Sequence, residues 1–366
     1  MRNLSSHPSL SIVVPARDAA DTLADALCAI LATRLPRNAY ELIVVDDASD
    51  DATATIAARH ADKVVRLSGR SMGAAYARNR GVELSQGEIV AFVDADVIVQ
   101  PDTLARMVAT LAEHPNVDAV SALQDSKPGA RNFVSQYWNL LLRFGEQRHL
   151  RGNAQFPSGC GAVRRSVLLA AGMFDEWRFP TASLEGVELG QRLQRSGRRL
   201  AVIPEIEITR LKRWSLRAVC GEVWQRSTLL SRSLGYQRTR ASTPGDVVFT
   251  LSRSLIPGIG ILGSLTLVAA FLPEPRVAFK GAIALAVLLL TNLPVYRFYL
   301  RARGIGFAIA AIPVHLVVQA VSGVALCIGW VLRDAVGDRL RDATTQAYAE
   351  VGLEKWPPVP RRRLQT

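Results

Sequence analysis

Two aspartates one residue apart, Asp94 and Asp96, follow an unbroken apolar run, Ile89 to Val93 (IVAFV). Five apolar residues in a row read as a strand buried on both faces. Residues at i and i+2 of a strand project to the same side, so both carboxylates can meet one ligand. Two hard oxygen donors suit Mg²⁺ or Mn²⁺, which usually keeps water and phosphate oxygens as its other ligands. An ion held there would neutralise a diphosphate leaving group. A lone pair of this kind also occurs in solvated turns. Here two earlier strands end in acid as well: Leu10 to Val14 runs into Pro15-Ala16-Arg17-Asp18, and Leu42 to Val45 into Asp46-Asp47. That convergence is the first functional signal, although Asp46 also suits a helix cap or turn.

The elements around these acids alternate. The spacing predicts a strand over 10–14 closed by Pro15, a helix over 19–32, a strand over 42–45 and a short helix over 51–60. A strand over 63–67, a helix over 72–84, the strand 89–93 and a helix from Pro101 to about Glu113 follow. Wholly apolar strands alternating with helices imply an α/β fold with a mostly parallel, doubly wound sheet. Such sheets bind ligands beyond the carboxyl ends of their strands. Residues 120–240 are less regular, with a Gly-rich turn at 157–161, a helix near 185–196 and a basic-aromatic stretch at 211–214.

The chain has 366 residues and a formal net charge of +12, with much of the surplus in Arg/Lys clusters flanking apolar runs. That placement favours a membrane surface over nucleic acid. Residues 254–272, 279–299 and 305–332 are each long enough for roughly 30 Å of hydrocarbon. Arg297, Arg301 and Arg303 place the joint between the last two on the cytosolic side. Pro313 and His315 would interrupt the third span, and a hydrogen bond between helices suits His315. The expected layout is a cytosolic domain over 1–240, a transmembrane helical region over 241–335 and an Arg-rich tail over 336–366. The protein is expected in the inner membrane, multi-pass, with its catalytic domain in the cytoplasm. The N-terminus has no apolar signal-peptide core. The four cysteines have no metal-like spacing and read as free thiols.

Several stretches, in order, resemble the family 2 glycosyltransferases. They are SIVVPARD at 11–18, ELIVVDDASDD at 41–51, GAAYARNRG at 73–81 and GEIVAFVDAD at 87–96. GCGAVRRSVLLAAGMFDE at 159–176, SLEGVELGQRL at 183–193 and LKRWSLR at 211–217 continue the match. The resemblance implies the GT-A fold and a nucleotide-sugar donor. It implies that Pro15, Ala16 and Asp18 line the base and ribose, with Arg17-Asp18 standing where many members have Asn-Glu. Asp46 and Asp47 would cradle the nucleotide, Asp47 meeting the base, and Arg78 would approach it. Asp94 would contact the donor, and Asp94 and Asp96 would hold the metal.

Two departures stand out. The family usually has Glu-Asp where this chain has Glu185-Gly186, and the Asp is the expected general base. A base is needed because a sugar hydroxyl is a poor nucleophile until its proton is removed. Glu185, Glu188 and Asp175 are the remaining candidates. Glu185 also suits a helix N-terminus, where the macrodipole favours a carboxylate. Related membrane-bound sequences often have His where this chain has Arg210. An arginine cannot ligate a metal but can pair with a diphosphate. Arg213 and Trp214 suit either a contact to the diphosphate or an interfacial anchor. His60, His114 and His149 suit surface or loop positions. The expectation is an inverting transferase that uses a nucleotide sugar, UDP-linked by preference, and a lipid or lipid-linked acceptor. The alternative is a catalytically degenerate nucleotide-sugar-binding membrane protein, which Gly186 and Arg210 motivate.

Overall fold

The computed structural model describes residues 8–149, 156, 159–176, 184–238 and 275–331. These form two compact units. One holds the described residues up to Arg131 together with Gly145–Arg213; the other holds Asn132–Phe144 and the described residues from Trp214 onward.

The first unit is an α/β domain built on one eight-stranded sheet. Its strands are β1 (Leu10–Ala16), β2 (Tyr40–Asp46), β3 (Lys63–Arg66), β4 (Ile89–Val93), β5 (Val97–Val99), β6 (Ala119–Gln124), β7 (Cys160–Arg164) and β8 (Leu200–Arg210). They lie in the order β3-β2-β1-β4-β7-β6-β8-β5. The first four are mutually parallel, as apolar strands between helices require. The other half is mixed: β7 runs antiparallel to β4 and β6, and β5 antiparallel to β8.

The helices of this unit are α1 (Ala20–Leu31), α2 (Thr53–Ala57), α3 (Ala74–Leu84), α4 (Thr103–Glu113), α6 (Arg165–Ala170) and α7 (Glu185–Arg195). Amphipathic spacing seats them: α4 buries Leu104, Met107 and Leu111 on one face. One apolar core gathers side chains from β1, β2, β4, α1 and α4, among them Ile12, Val14, Leu27, Leu42, Val44 and Met107. Another gathers Val13, Phe92, Phe174 and Leu189.

Pro15 does not close its strand. It lies within β1, opposite Val45 of β2. The pairing of β1 with β4 spans only Leu10 to Val13, so the missing N–H falls where that ladder has already ended.

In the second unit, α8 (Leu216–Arg238), α9 (Pro275–Thr291), α10 (Leu293–Arg303) and α11 (Ile305–Val331) accompany the 132–144 part of α5 (Phe133–His149). Two expectations need correction. The span foreseen over 279–299 is two helices, broken at Asn292, with a proline in the first turn of α10. At 17 residues, α9 reaches only about 26 Å. The third span is not interrupted at Pro313 or His315, because α11 runs 27 residues through both. Among the described residues α11 alone is long and apolar enough to cross a membrane, so a multi-pass arrangement has no support. The span foreseen over 254–272 and the tail over 336–366 lie outside the described residues.

His315 takes the interhelical role foreseen for it. Its ring bonds Tyr137 Oη at 2.9 Å and Asn292 Oδ1 at 3.1 Å. Gln319 Nε2 donates to the same Asn292 oxygen at 2.8 Å.

Candidate active site

The acid-ended strands do converge. β4 delivers Asp94 and Asp96, β2 delivers Asp46 and Asp47, and β1 delivers Pro15, Ala16 and Asp18. Asp96 lies in the turn between β4 and β5, not on the strand itself. Backbone bonds fix that turn on both sides: Asp94 N–H donates to Gly159 O at 2.9 Å, and Leu211 N–H to Asp96 O at 2.8 Å.

Arg78 reaches this point from α3. Gly81 lets the helix lie against β1, since a Cβ there would fall 2.3 Å from Val13 Cγ1. The Arg78 guanidinium is buried. Nη1 donates to Glu185 Oε1 at 2.7 Å and Nη2 to Asp94 Oδ1 at 2.8 Å. It also lies 5.4 Å from the centroid of the Phe174 ring. The sequence places this arginine at the nucleotide or on a helix surface; the structure places it between the two halves of the site. Arg210, at the end of β8, completes the set. Its Nη1 lies 3.2 Å and 3.5 Å from the two oxygens of Asp96, and its Nη2 3.3 Å from Asp94 Oδ2.

The result is a chain of alternating charge, Glu185–Arg78–Asp94–Arg210–Asp96, with three carboxylates and two guanidiniums. Burial alone would raise the Asp94 carboxyl, but Arg78 and Arg210 outweigh it and hold Asp94 below the usual carboxylate range. Burial alone would lower Arg210; Asp96 and Asp94 outweigh it and hold it above the ordinary arginine value. Arg78 is raised in the same way, burial being outweighed by Asp94 and Glu185. Cys160 lies beneath, its thiol pushed up by burial and by Asp94, so it is protonated and inert.

The acids expected at the nucleotide end are more tightly engaged than sequence suggests. Asp47 accepts Met72 N–H at 2.8 Å, Gly73 N–H at 2.8 Å and the Ser71 hydroxyl at 2.6 Å. It fastens the loop that opens α3. Asp46 Oδ1 accepts from the Ser49 backbone N–H at 3.1 Å and from its hydroxyl. Asp46 Oδ2 is buried with no hydrogen bond, and Arg66 Nε lies 3.6 Å away. Asp18 Oδ1 accepts Asp50 N–H at 3.0 Å, and Asp18 N–H donates to Ser49 Oγ at 3.0 Å. Asp18 and Ala48 both have positive φ, at 44° and 56°. Two strained non-glycine residues at adjacent strand ends mark a turn whose shape the surroundings impose.

The acceptor-side candidates separate. Glu185 is buried in the first turn of α7, one guanidinium away from Asp94. Glu188 faces Arg192, at 3.0 Å and 2.8 Å. Arg192 in turn donates to the carbonyl of Met173 at 2.7 Å, so the pair ties α7 to the turn after α6. Asp175 is half-buried and partnered. Its neighbour Glu176, which the sequence does not single out, is buried and accepts Asn79 Nδ2 at 2.6 Å. Asn79 also exchanges bonds with the backbone of Phe174, at 2.9 Å and 3.0 Å, pinning this turn to α3. Gly159 gives no sign of its purpose within the Gly-rich turn; only its contact with Arg210 reveals it. Arg213 is exposed, and Trp214 belongs to the second unit, 6.0 Å ring to ring from Trp138.

Asp94 and Asp96 fit a divalent ion by donor type. Among the described residues no group of three or more His, Cys, Asp or Glu side chains surrounds one point. Two carboxylates would therefore hold an ion whose other ligands come from phosphate and water.

Known proteins share parts of this sequence and its fold. Residues 11–171 match the profile of Glycosyl transferase family 2. The succinoglycan biosynthesis protein ExoO of Rhizobium meliloti is 39% identical over 103 residues, covering 28% of this chain and 29% of that protein. The beta-monoglucosyldiacylglycerol synthase of Trichormus variabilis is 32% identical over 188 residues, covering 47% of this chain and 39% of that protein. The matches thus span well under half the length of these curated relatives. A solved mannosyltransferase, PcManGT from Pyrobaculum calidifontis in complex with GDP-Man and Mn²⁺, aligns over 89% of this chain and 88% of its own. Its TM-score is 0.57 at 22% identity, a likeness of fold. The mixed sheet is that of the GT-A fold, and residues 11–171 of the chain match glycosyl transferase family 2.

Proposed function

We propose that the protein is an inverting glycosyltransferase that moves a sugar from a nucleotide sugar, UDP-linked by preference, to a membrane lipid or lipid-linked glycan. The observation that carries this reading is the five-membered ion chain at the end of β4, in a family 2 domain. It sets two guanidiniums and a pair of metal-competent carboxylates where a diphosphate would lie, with a third carboxylate, Glu185, one guanidinium away.

In this reading Pro15, Ala16, Asp18 and the Asp46-Asp47 turn shape the nucleotide end. Asp94 and Asp96 hold Mg²⁺ or Mn²⁺, which supplies positive charge to the departing diphosphate. Arg210 adds a second cation there. Glu185 takes the acceptor hydroxyl proton as the oxygen attacks C1 from the opposite face. Arg78 fixes the direction of the Glu185 carboxylate through Oε1. Losing such a base should cost about 10²- to 10⁴-fold in kcat. A lipid acceptor is supported by α11 and by the lipid-glycosylating relative, and in this reading the domain works at the cytoplasmic face of a membrane.

The test is single turnover with an anomerically defined donor, with and without host lipid extract. Inversion at C1 is expected, and retention overturns the reading. A second reading, a nucleotide-sugar-binding protein without transfer, draws on Gly186 and on the pairing of Glu185 with Arg78. It requires that native protein, Asp96→Asn and Glu185→Gln release the nucleotide equally slowly.

A further inference from the structure

The place between the two carboxylates of the β4–β5 turn already holds a cation. Arg210 lies opposite Val97 in the antiparallel pairing of β5 with β8, so the backbone itself brings residue 210 beside Asp96. Its guanidinium touches three of the four carboxylate oxygens, and Arg78 takes the fourth.

The two arginines are held differently. Arg78 makes bonds of 2.7 Å and 2.8 Å, the length of tight charge-assisted bonds. The contacts of Arg210 are 3.2 to 3.5 Å. Arg210 is therefore kept in place by charge more than by short hydrogen bonds, and its Nε–H, like that of Arg78, is buried with no acceptor. An unmet buried donor is costly, and a phosphate oxygen would meet it.

The fold also makes room for this group. Gly159 has φ +84°, and a Cβ there would lie 2.6 Å from Arg210 Nη2 and 3.3 Å from Cζ. The same residue accepts the Asp94 N–H. A side chain at 159 would push out the guanidinium and disturb the aspartate beneath it. Without Arg210, Asp94 and Asp96 would face an incoming diphosphate with Arg78 alone to offset three carboxylates. With it, a planar fork suited to two phosphate oxygens is already present.

We infer that Arg210 is a resident counter-ion for the diphosphate of the donor, so that the nucleotide binds with no divalent ion, the ion strengthening binding instead of permitting it. This rests on the donor-site reading above.

The experiment is calorimetric titration of the full chain in detergent with UDP and with GDP, in EDTA and in Mn²⁺. Native protein, Arg210→Lys and Arg210→His are compared, and Mn²⁺ binding is followed by electron paramagnetic resonance. The native protein should bind one of the two nucleotides in EDTA within about tenfold of its affinity in Mn²⁺. Arg210→Lys should keep much of the EDTA binding. Arg210→His, with its smaller and largely neutral ring, should need Mn²⁺ and should bind that ion more tightly than the native protein. Native binding seen only with Mn²⁺ overturns the inference and leaves the donor site standing. So does native binding in EDTA that Arg210→His leaves intact. No binding of either nucleotide under either condition overturns the donor site and the inference together.

Discussion

Arg78 is the residue on which the two halves of the site depend. Its guanidinium is the shared partner of Asp94 and Glu185, and all three are poorly exposed. Removing one partner of a buried pair leaves an uncompensated charge, which costs about 3–5 kcal/mol. Arg78→Ala should therefore lower stability by roughly that amount. Thermal unfolding would show it, and a loss below about 1 kcal/mol would mean that water already reaches the pair. Arg78→Lys keeps the charge but cannot span both carboxylates, so it should fall between. The same ion chain sets an acid limit. Asp94 has a folded value held below its unfolded one of about 3.9. A depressed carboxylate contributes stability that is present above the unfolded value and lost as pH falls through the folded one. Glu41 is also lowered: its burial is outweighed by Lys63, Ser11 and Gln86, and it adds in the same window. Stability should be flat in these two groups from neutral pH to about 5 and should fall below about 4. Asp94→Asn should flatten that fall, as seen in denaturant midpoints taken across pH.

At the scale of elements, the loop before α3 hangs on one side chain. Asp47 collects three donors from Ser71, Met72 and Gly73. They include the Gly73 N–H at the N-cap of α3, a backbone donor that a helix start leaves without a partner. Asp47→Ala should cost about 1–2 kcal/mol, in the upper range for a lost helix cap. It should also weaken nucleotide binding by loosening the strand end, read as a rise in Kd alongside the melting shift. Unchanged binding with lowered stability would separate the loop from the donor site. These contacts also mark what the sequence can and cannot tell. β4 is readable residue for residue, because five apolar side chains before two acids have few other uses. The engagement of Asp47 is not, since nothing at 71–73 announces that the Ser71 hydroxyl and the Met72 and Gly73 N–H groups turn back across 24 to 26 residues. Arg78 with Glu185 spans 107 residues and Arg210 with Asp96 spans 114, pairings that only the assembled sheet creates. Periodicity misjudges Pro15 for a related reason. Whether a proline ends a strand depends on where the neighbouring ladder stops. Apolar length misjudges the span foreseen over 279–299 because it does not register a break such as Asn292-Leu293-Pro294.

For the whole molecule, the proposed lipid acceptor asks what would hold this chain at a lipid surface, and α11 carries the argument. Its buried positions include Ala308, Ala311, His315 and Val318, which share one face at helical spacing. Ile305, Ile309, Val317, Val324 and Ile328 are exposed on the other side. Only 33% of its most apolar stretch is buried, whereas the core helix of a water-soluble domain is buried through most of its length. A strip of exposed branched aliphatics over 27 residues is a surface that water disfavours and hydrocarbon accepts. The polar residues of this unit support the same division. His315, Asn292, Gln319 and Tyr137 bond to one another, so the helix shows its apolar side outward while its polar groups are satisfied within. Val317 lies near the middle of the helix and is 44% exposed. Placing a charge there should cost about 2.5–3.5 kcal/mol if the face lies in hydrocarbon. Val317→Arg should accordingly shift the protein from vesicles to solution by on the order of 100-fold in a flotation assay. The control is a charge reversal at an exposed position of the α/β domain, Arg59→Glu, which should float as the native protein does. Equal flotation of Val317→Arg and the native protein would show that α11 does not carry the attachment. Transfer to a lipid acceptor would then need another route to the membrane.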